Sequence, residues 1–293
     1  MLTGATGRVG APLLRRLTAA RVPVRCLVRD PKRLGPERVR VQIALGDLAD
    51  PPSFRNALRG VSTVVHLAAS ARDQPQGSIE ELNAIATWRL VQAAERAGVE
   101  HFLFTSALGA TAHDRTRFLR AKALAEQAVT ESGLRHTILA SSLIYALGDE
   151  LMTLLSRLSL LPLVPLVGRG RAQFQPIWAD DVAECIEAAL DRPVDPAAPN
   201  LRVELAGPDV HTYAEVARTV LRAAGRPRRL VPVPLGLTSR ALRLTEALMK
   251  SATPVTWDEA ELLEVAMTTP HGTSGAERLG VAPKRLAAVL GTA

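Results

Sequence analysis

A chain of 293 residues with 47% hydrophobic side chains can bury one large α/β domain, or a nucleotide-binding domain with a smaller lobe. Aromatic residues make up only 3%, so the core must be aliphatic, and a base-stacking nucleic-acid surface is excluded as the main function. The formal net charge of +7 comes from arginines spread along the chain rather than from a basic tail, which suits a phosphorylated ligand without specifying one.

The chain opens on Thr3-Gly4-Ala5-Thr6-Gly7-Arg8-Val9-Gly10. In this spacing Gly4 permits a tight strand-to-helix turn, Gly7 lets the backbone approach a pyrophosphate, and Gly10 allows close helix packing. A helix beginning near Arg8 would aim its free N–H groups at the phosphates. Only Met1 and Leu2 are left for the entering strand, which in a parallel sheet is usually longer and buried on both faces. The expectation is a natural start upstream of Met1. With no signal peptide ahead of the loop, cytoplasm is the default location.

Strand and helix signals then alternate, the pattern of a Rossmann-type, doubly wound α/β sheet. Segments 22–28, 39–44, 63–67, 101–105 and 136–139 read as strands, and 11–20, 52–58, 79–97 and 117–132 as helices. Cys26 and Cys185 fall in apolar segments without metal-ligand spacing, so both are expected as buried hydrophobes and no metal site is expected.

Beyond residue 143 the alternation becomes irregular. The apolar stretch 151–167 is broken by Arg157, Pro162 and Pro165 and is too short for a membrane span. It reads as a lid helix followed by an extended segment, with a hydrophobic substrate or peripheral membrane contact as the alternative. Extended structure is expected at 173–177 and 201–205, and helices at 181–190, 213–224, 236–250 and 257–266. The proline-rich 231–235 reads as a connection, and Arg226, Arg228 and Arg229 as a solvated loop. The implied organisation is a nucleotide-binding core over 1–142, then a lid and a small, mainly helical C-terminal lobe over 143–293, with parts of 173–205 returning to the core.

The cofactor is read from the end of the second strand. NAD-specific sites place an acidic side chain there for the ribose hydroxyls. This chain has Arg29, suited to a 2′-phosphate, with Arg8 and Arg33 adding positive potential. Asp30 precedes Pro31 and reads as a helix cap instead. NADP(H) is therefore favoured over NAD(H).

Together with LVRDP at 27–31, GDLAD at 46–50, VVHLAAS at 64–70, TSALGA at 105–110, RAKALAEQAV at 120–129, PIWADDVAE at 176–184 and ELAGPDVHTYAEVA at 204–217, the glycine loop resembles the short-chain dehydrogenase/reductase superfamily. The best match is its atypical extended branch, with NmrA-like proteins and relatives of an alpha-subcomplex subunit of mitochondrial complex I. The resemblance implies that Asp47 and Leu48 face the adenine, and that Ala68 and Ala69 line the cofactor cleft. It further implies that Thr105 and Ser106 end a strand beside the nicotinamide, and that Lys122 bonds the nicotinamide ribose.

The superfamily's catalytic pattern is Tyr-x-x-x-Lys on one helix face. Here Phe118 precedes Lys122 by four residues and lacks the phenol that would exchange a proton during hydride transfer. A second departure is Ala140-Ser141-Ser142, where relatives commonly carry Arg-Pro-Ser. Three functions remain open. The first is an NADP(H)-binding sensor, regulator or assembly subunit without dehydrogenase turnover. The second is a reductase of a hydrophobic carbonyl or quinone, its proton supplied by Tyr145, His113, Ser106 or water. The third is a peripheral membrane or protein-interaction module.

Overall fold

The computed structural model describes residues 1–193, 195–234 and 256–292. Its strands in chain order are β1 (Leu2–Thr3), β2 (Arg25–Val28), β3 (Gln42–Leu45), β4 (Thr63–His66), β5 (His101–Ala107), β6 (Arg135–Ser141), β7 (Ile144–Tyr145), β8 (Leu163–Val167), β9 (Gln173–Phe174), β10 (Ile177–Trp178), β11 (Leu201–Leu205), β12 (His211–Thr212) and β13 (Arg229–Val233). The longer helices are α1 (Gly10–Ala19), α2 (Pro51–Arg55), α3 (Ala86–Arg96), α4 (Arg117–Thr130), α5 (Glu150–Leu158), α6 (Ala179–Asp191) and α7 (Tyr213–Ala223).

Seven strands form one parallel sheet in the order β3-β2-β1-β4-β5-β6-β11. The order reverses between β1 and β4, the switch point at which a doubly wound sheet opens a crevice beyond its strand ends. Side chains alternate between two covered faces. Leu2, Cys26, Val65, Leu103 and Leu139 pack under α1 and α6, through Leu13, Leu14, Val182 and Ile186. Leu27, Val64, Phe102, Phe104 and Ile138 pack under α3 and α4, through Leu90, Ala94, Ala125 and Val129. Though short, β1 is bonded on both sides, Leu2 lying opposite Cys26 and Val65.

Several boundaries differ from the sequence reading. The glycine-loop helix starts at Gly10 rather than near Arg8, because residues 4–9 are spent on the turn. The third strand starts at Gln42, since Val39 closes a 3-10 segment (Pro31–Val39) broken at Gly35, where φ is +60. The helix expected over 79–97 opens as a π-helical turn, Glu81–Ile85, before α3.

The proline-rich segment read as a connection is in fact β13, paired in parallel with β8. Both strands have one partner among the described residues, and a proline is tolerated where its nitrogen faces away from the ladder. The helix expected over 257–266 ends at Leu262. That expected over 236–250 lies outside the described residues.

After α6 the chain returns to the core as β11 on the sheet edge. The last described segment covers that edge. Ser142 Oγ donates to the Met267 carbonyl, the Thr269 amide donates to Gln175 Oε1, and a Cβ on Gly275 would sit 2.0 Å from the Glu204 carbonyl oxygen. No described helix is long and apolar enough to cross a membrane.

Candidate functional site

The crevice is built first by the glycine loop. Gly4 has φ +71, and a Cβ there would meet the Ala68 amide nitrogen at 2.7 Å. At Gly10 a Cβ would fall 2.0 Å from the Gly4 carbonyl oxygen, so only glycine lets α1 start so close to the turn. Around Gly7 the sole near neighbour would be the Gly4 oxygen at 3.2 Å, and the backbone there is open. Ala5 and Val9 point into the core while Thr6 stays partly exposed. A tight turn, an open Gly7 and the amino end of a ten-residue helix together fit a dinucleotide pyrophosphate.

At the β2 end, Asp30 caps the next turn by accepting the Lys32 amide at 2.9 Å, as its Asp-Pro context implies. Arg29 is half-exposed, with a guanidinium nitrogen 3.9 Å from Asp47 Oδ2. Asp47 Oδ1 accepts the Ala49 amide, which fixes the turn carrying Leu48. Arg33 is exposed nearby in sequence. Arg8, half-exposed in the glycine loop, donates to the Ile144 carbonyl at 3.2 Å and lies 3.9 Å from Asp149, tying the loop to β7 and the segment after it.

The ends of β5, β6 and β7 carry the rest. Lys122 reaches from α4 to donate to the Thr105 carbonyl at 2.8 Å, with its Nζ 4.6 Å from the Phe104 ring centre and 5.8 Å from that of Phe118. Burial lowers its pKa to about 8. Phe118 is partly buried against Ile79, Ala84 and Ala121. Thr105 Oγ1 donates to the His66 carbonyl.

Ser106 Oγ, Ser141 Oγ and the Tyr145 hydroxyl are buried with no hydrogen-bond partner among the described residues. Buried hydroxyls are almost always paired, and the register Ser106 to Ala140 and Ala107 to Ser141 puts the two serines on opposite faces at the ends of β5 and β6, so each is a separate orphan. Tyr145 does not reach Lys122; burial, with Asp181 adding to it, pushes its phenol up, away from easy ionisation. His113 is exposed in the loop before α4.

Sequence reasoning missed Ser141 and a buried chain of hydrogen bonds. The Ala68 amide and Thr3 Oγ1 are in contact, Thr3 Oγ1 meets His66 Nδ1 at 2.7 Å, and His66 Nε2 meets Thr87 Oγ1 at 2.9 Å. Thr87 gives its proton to the Asn83 carbonyl, so it accepts from Nε2–H, and Nδ1 accepts from Thr3. Asn83, within the π turn, donates to the carbonyls of Ser70 and Ile79 and accepts the Ser70 amide. Burial, with the Lys122 charge adding, holds His66 neutral with a pKa of about 3. The network fixes 68–70, including Ala68 and Ala69, beside Gly4. A histidine inside a strand motif was the one available signal.

A family model described as NAD(P)H-binding matches residues 4–150. The NAD(P)H azoreductase of Xenophilus azovorans is 30% identical over 243 residues, 83% of this chain and 79% of that protein. The mitochondrial NADH dehydrogenase [ubiquinone] 1 alpha subcomplex subunit 9 of Arabidopsis thaliana is 29% identical over 263 residues, 86% of this chain and 64% of that subunit. A nucleoside-diphosphate-sugar epimerase from Staphylococcus aureus superposes with a TM-score of 0.78 at 20% identity, over 99% of this chain and 98% of that one, a likeness of fold.

Proposed function

From a chain that belongs to the NAD(P)H-binding family of short-chain dehydrogenase/reductase-like proteins, we propose an NADP(H)-binding protein of the cytoplasm that works without tyrosine-dependent carbonyl turnover, as a redox sensor, regulator or assembly subunit. The observation that carries this reading is Phe118, which stands one helical turn before Lys122 with no phenol oxygen to exchange a proton. A nicotinamide held here would be the source or acceptor of hydride in any redox step. Thr3, Gly4, Thr6, Gly7, Val9 and Gly10 form the loop that would seat the pyrophosphate. Arg29 and Arg33 would meet a 2′-phosphate; the contact of Arg29 with Asp47 is long and half-exposed, and a phosphate can outcompete it. Asp47 and Leu48 would flank the adenine. Ala68, Ala69 and Thr105 would line the cleft, with Lys122 turning from the Thr105 carbonyl to the ribose.

A second reading is supported by the likeness to a protein named as an azoreductase. An acceptor such as a quinone or azo compound can take its proton from water after hydride transfer, so no phenol is required. Ser106 and Tyr145 would then orient the acceptor.

Equilibrium titration with NADPH and NADH tests the cofactor choice. NADPH should bind at least roughly tenfold more tightly, and Arg29→Asp should abolish the difference. NADH binding as tight as NADPH in the unaltered protein contradicts the assignment. NADPH consumption with a quinone or azo dye, but not a ketone, would favour the second reading.

A further inference from the structure

Eight of the arginines fall in two segments that the fold brings side by side. Residues 151–179 and 216–234 hold eight arginines and no aspartate or glutamate, whereas the whole chain carries +7, so everything outside them is close to neutral. These segments are neighbours, since α5 packs on α7 and β8 pairs with β13. None of the eight is ion-paired among the described residues, although arginines elsewhere, such as Arg16, Arg117 and Arg202, are bonded to carboxylates. The cluster read from sequence as a solvated loop is part of this surface: Arg228 donates to the Ser159 carbonyl at 2.9 Å, and Arg229 opens β13.

Leucines stand exposed among these cations. Leu147 is 64% exposed, Leu160 67% and Leu163 51%. In the β8–β13 register Leu163 lies opposite Arg229 and Pro165 opposite Val231, all exposed, while Val164 and Leu166 between them are buried. One face of this ribbon, Leu163, Pro165 and Val231 with Arg229, is therefore largely apolar and uncovered among the described residues. A groove of about 560 Å³ continues it, lined by Leu147, Met152, Leu160 and Val220 with Arg157 and Arg226 at its sides.

We propose that the face formed by α5, β8, the end of α7 and β13 docks on an anionic lipid bilayer, its leucines entering the acyl boundary and its arginines meeting lipid phosphates. Apolar side chains ringed by unpaired cations are what an interfacial surface needs, because burial and charge attraction add there. Within 151–179 and 216–234 the charge is wholly positive, which complements an anionic surface; Glu150 at the start of α5, Glu215 on α7 and Glu264 against Gly168 are the neighbouring carboxylates. This docking is independent of the nucleotide site.

The test is pelleting of the full-length protein with vesicles of phosphatidylcholine alone and of an equimolar mixture with phosphatidylglycerol. Binding is expected to the mixed vesicles only, and to be lost near ~1 M salt, where charge is screened within about 3 Å. Arg226→Ser with Arg229→Ser should lower partitioning roughly thirtyfold. Leu160→Ser with Leu161→Ser, the second also exposed beside the first, should lower it roughly tenfold or more. Both variants should keep the parent's thermal midpoint and NADPH affinity, which separates lost docking from lost folding. A protein that stays in the supernatant, pellets equally with phosphatidylcholine alone, or is unaffected by either double substitution overturns the proposal. So does a leucine-dependent dimer without vesicle binding, since a second copy would then be what covers the face.

Discussion

Phe118 and Lys122 share a face of α4, and the missing oxygen at the first leaves the second with a backbone carbonyl for a partner. Phe118 is only partly buried, so a hydroxyl added to its ring has room to be solvated. Phe118→Tyr is therefore expected to keep the parent's stability within about 0.5 kcal/mol. If Lys122, Thr105 and Ser106 still form a competent frame, it should also gain measurable NADPH oxidation with a ketone or aldehyde. A folded Phe118→Tyr protein that binds NADPH and gains no rate would show that more than the phenol has been lost. At this scale the sequence was legible where backbone geometry depends on residue type: Gly4 and Gly10 in the tight turn and Asp30 as a cap. It was not legible for Ser141 or for the unpaired state of Tyr145, because whether a hydroxyl has a partner depends on strands far apart in the chain.

Between elements, the crevice is held by the His66 network, which links β1, β4 and the π turn before α3. The proton order makes Thr87 both acceptor for His66 and donor to Asn83. Thr87→Val keeps the shape but leaves the buried His66 Nε2–H without a partner, at a cost of about 1–3 kcal/mol. Thr87→Ser, which retains the hydroxyl, should cost less than about 1 kcal/mol. Urea unfolding measures both, and a valine variant as stable as the parent would contradict the network. Most strands and helices were readable from apolar periodicity. The π turn was not, since its extra residue leaves the composition of a helix unchanged. Nor was β13, because its prolines are acceptable only in a two-stranded ribbon, a property of its partner. The short β1 is paired on both edges, with β2 and β4.

At the scale of the whole molecule, ion pairs tie the last described segment to earlier ones. Arg117 bonds Asp73 and Glu80 and reaches Asp258 at 3.4 Å, while Arg72 bonds Glu259 at 2.8 Å, linking the loop after β4 and α4 to the helix Trp257–Leu262. The nucleotide crevice and the basic apolar face are separate features of one fold, the first evident as a motif and the second visible only once α5, β8, α7 and β13 are brought together. Composition gave the net charge but not its gathering on one side. The central claim is that this site holds NADP(H) without the phenol that carbonyl reduction requires. It is tested most directly by titrating the purified protein with NADPH until binding saturates, then adding aldehydes and ketones and following NADPH absorbance in the same sample. Saturable binding with no carbonyl-dependent oxidation above the protein-free rate is the predicted result; failure to bind NADPH, or steady carbonyl-dependent oxidation with Phe118 in place, would contradict it.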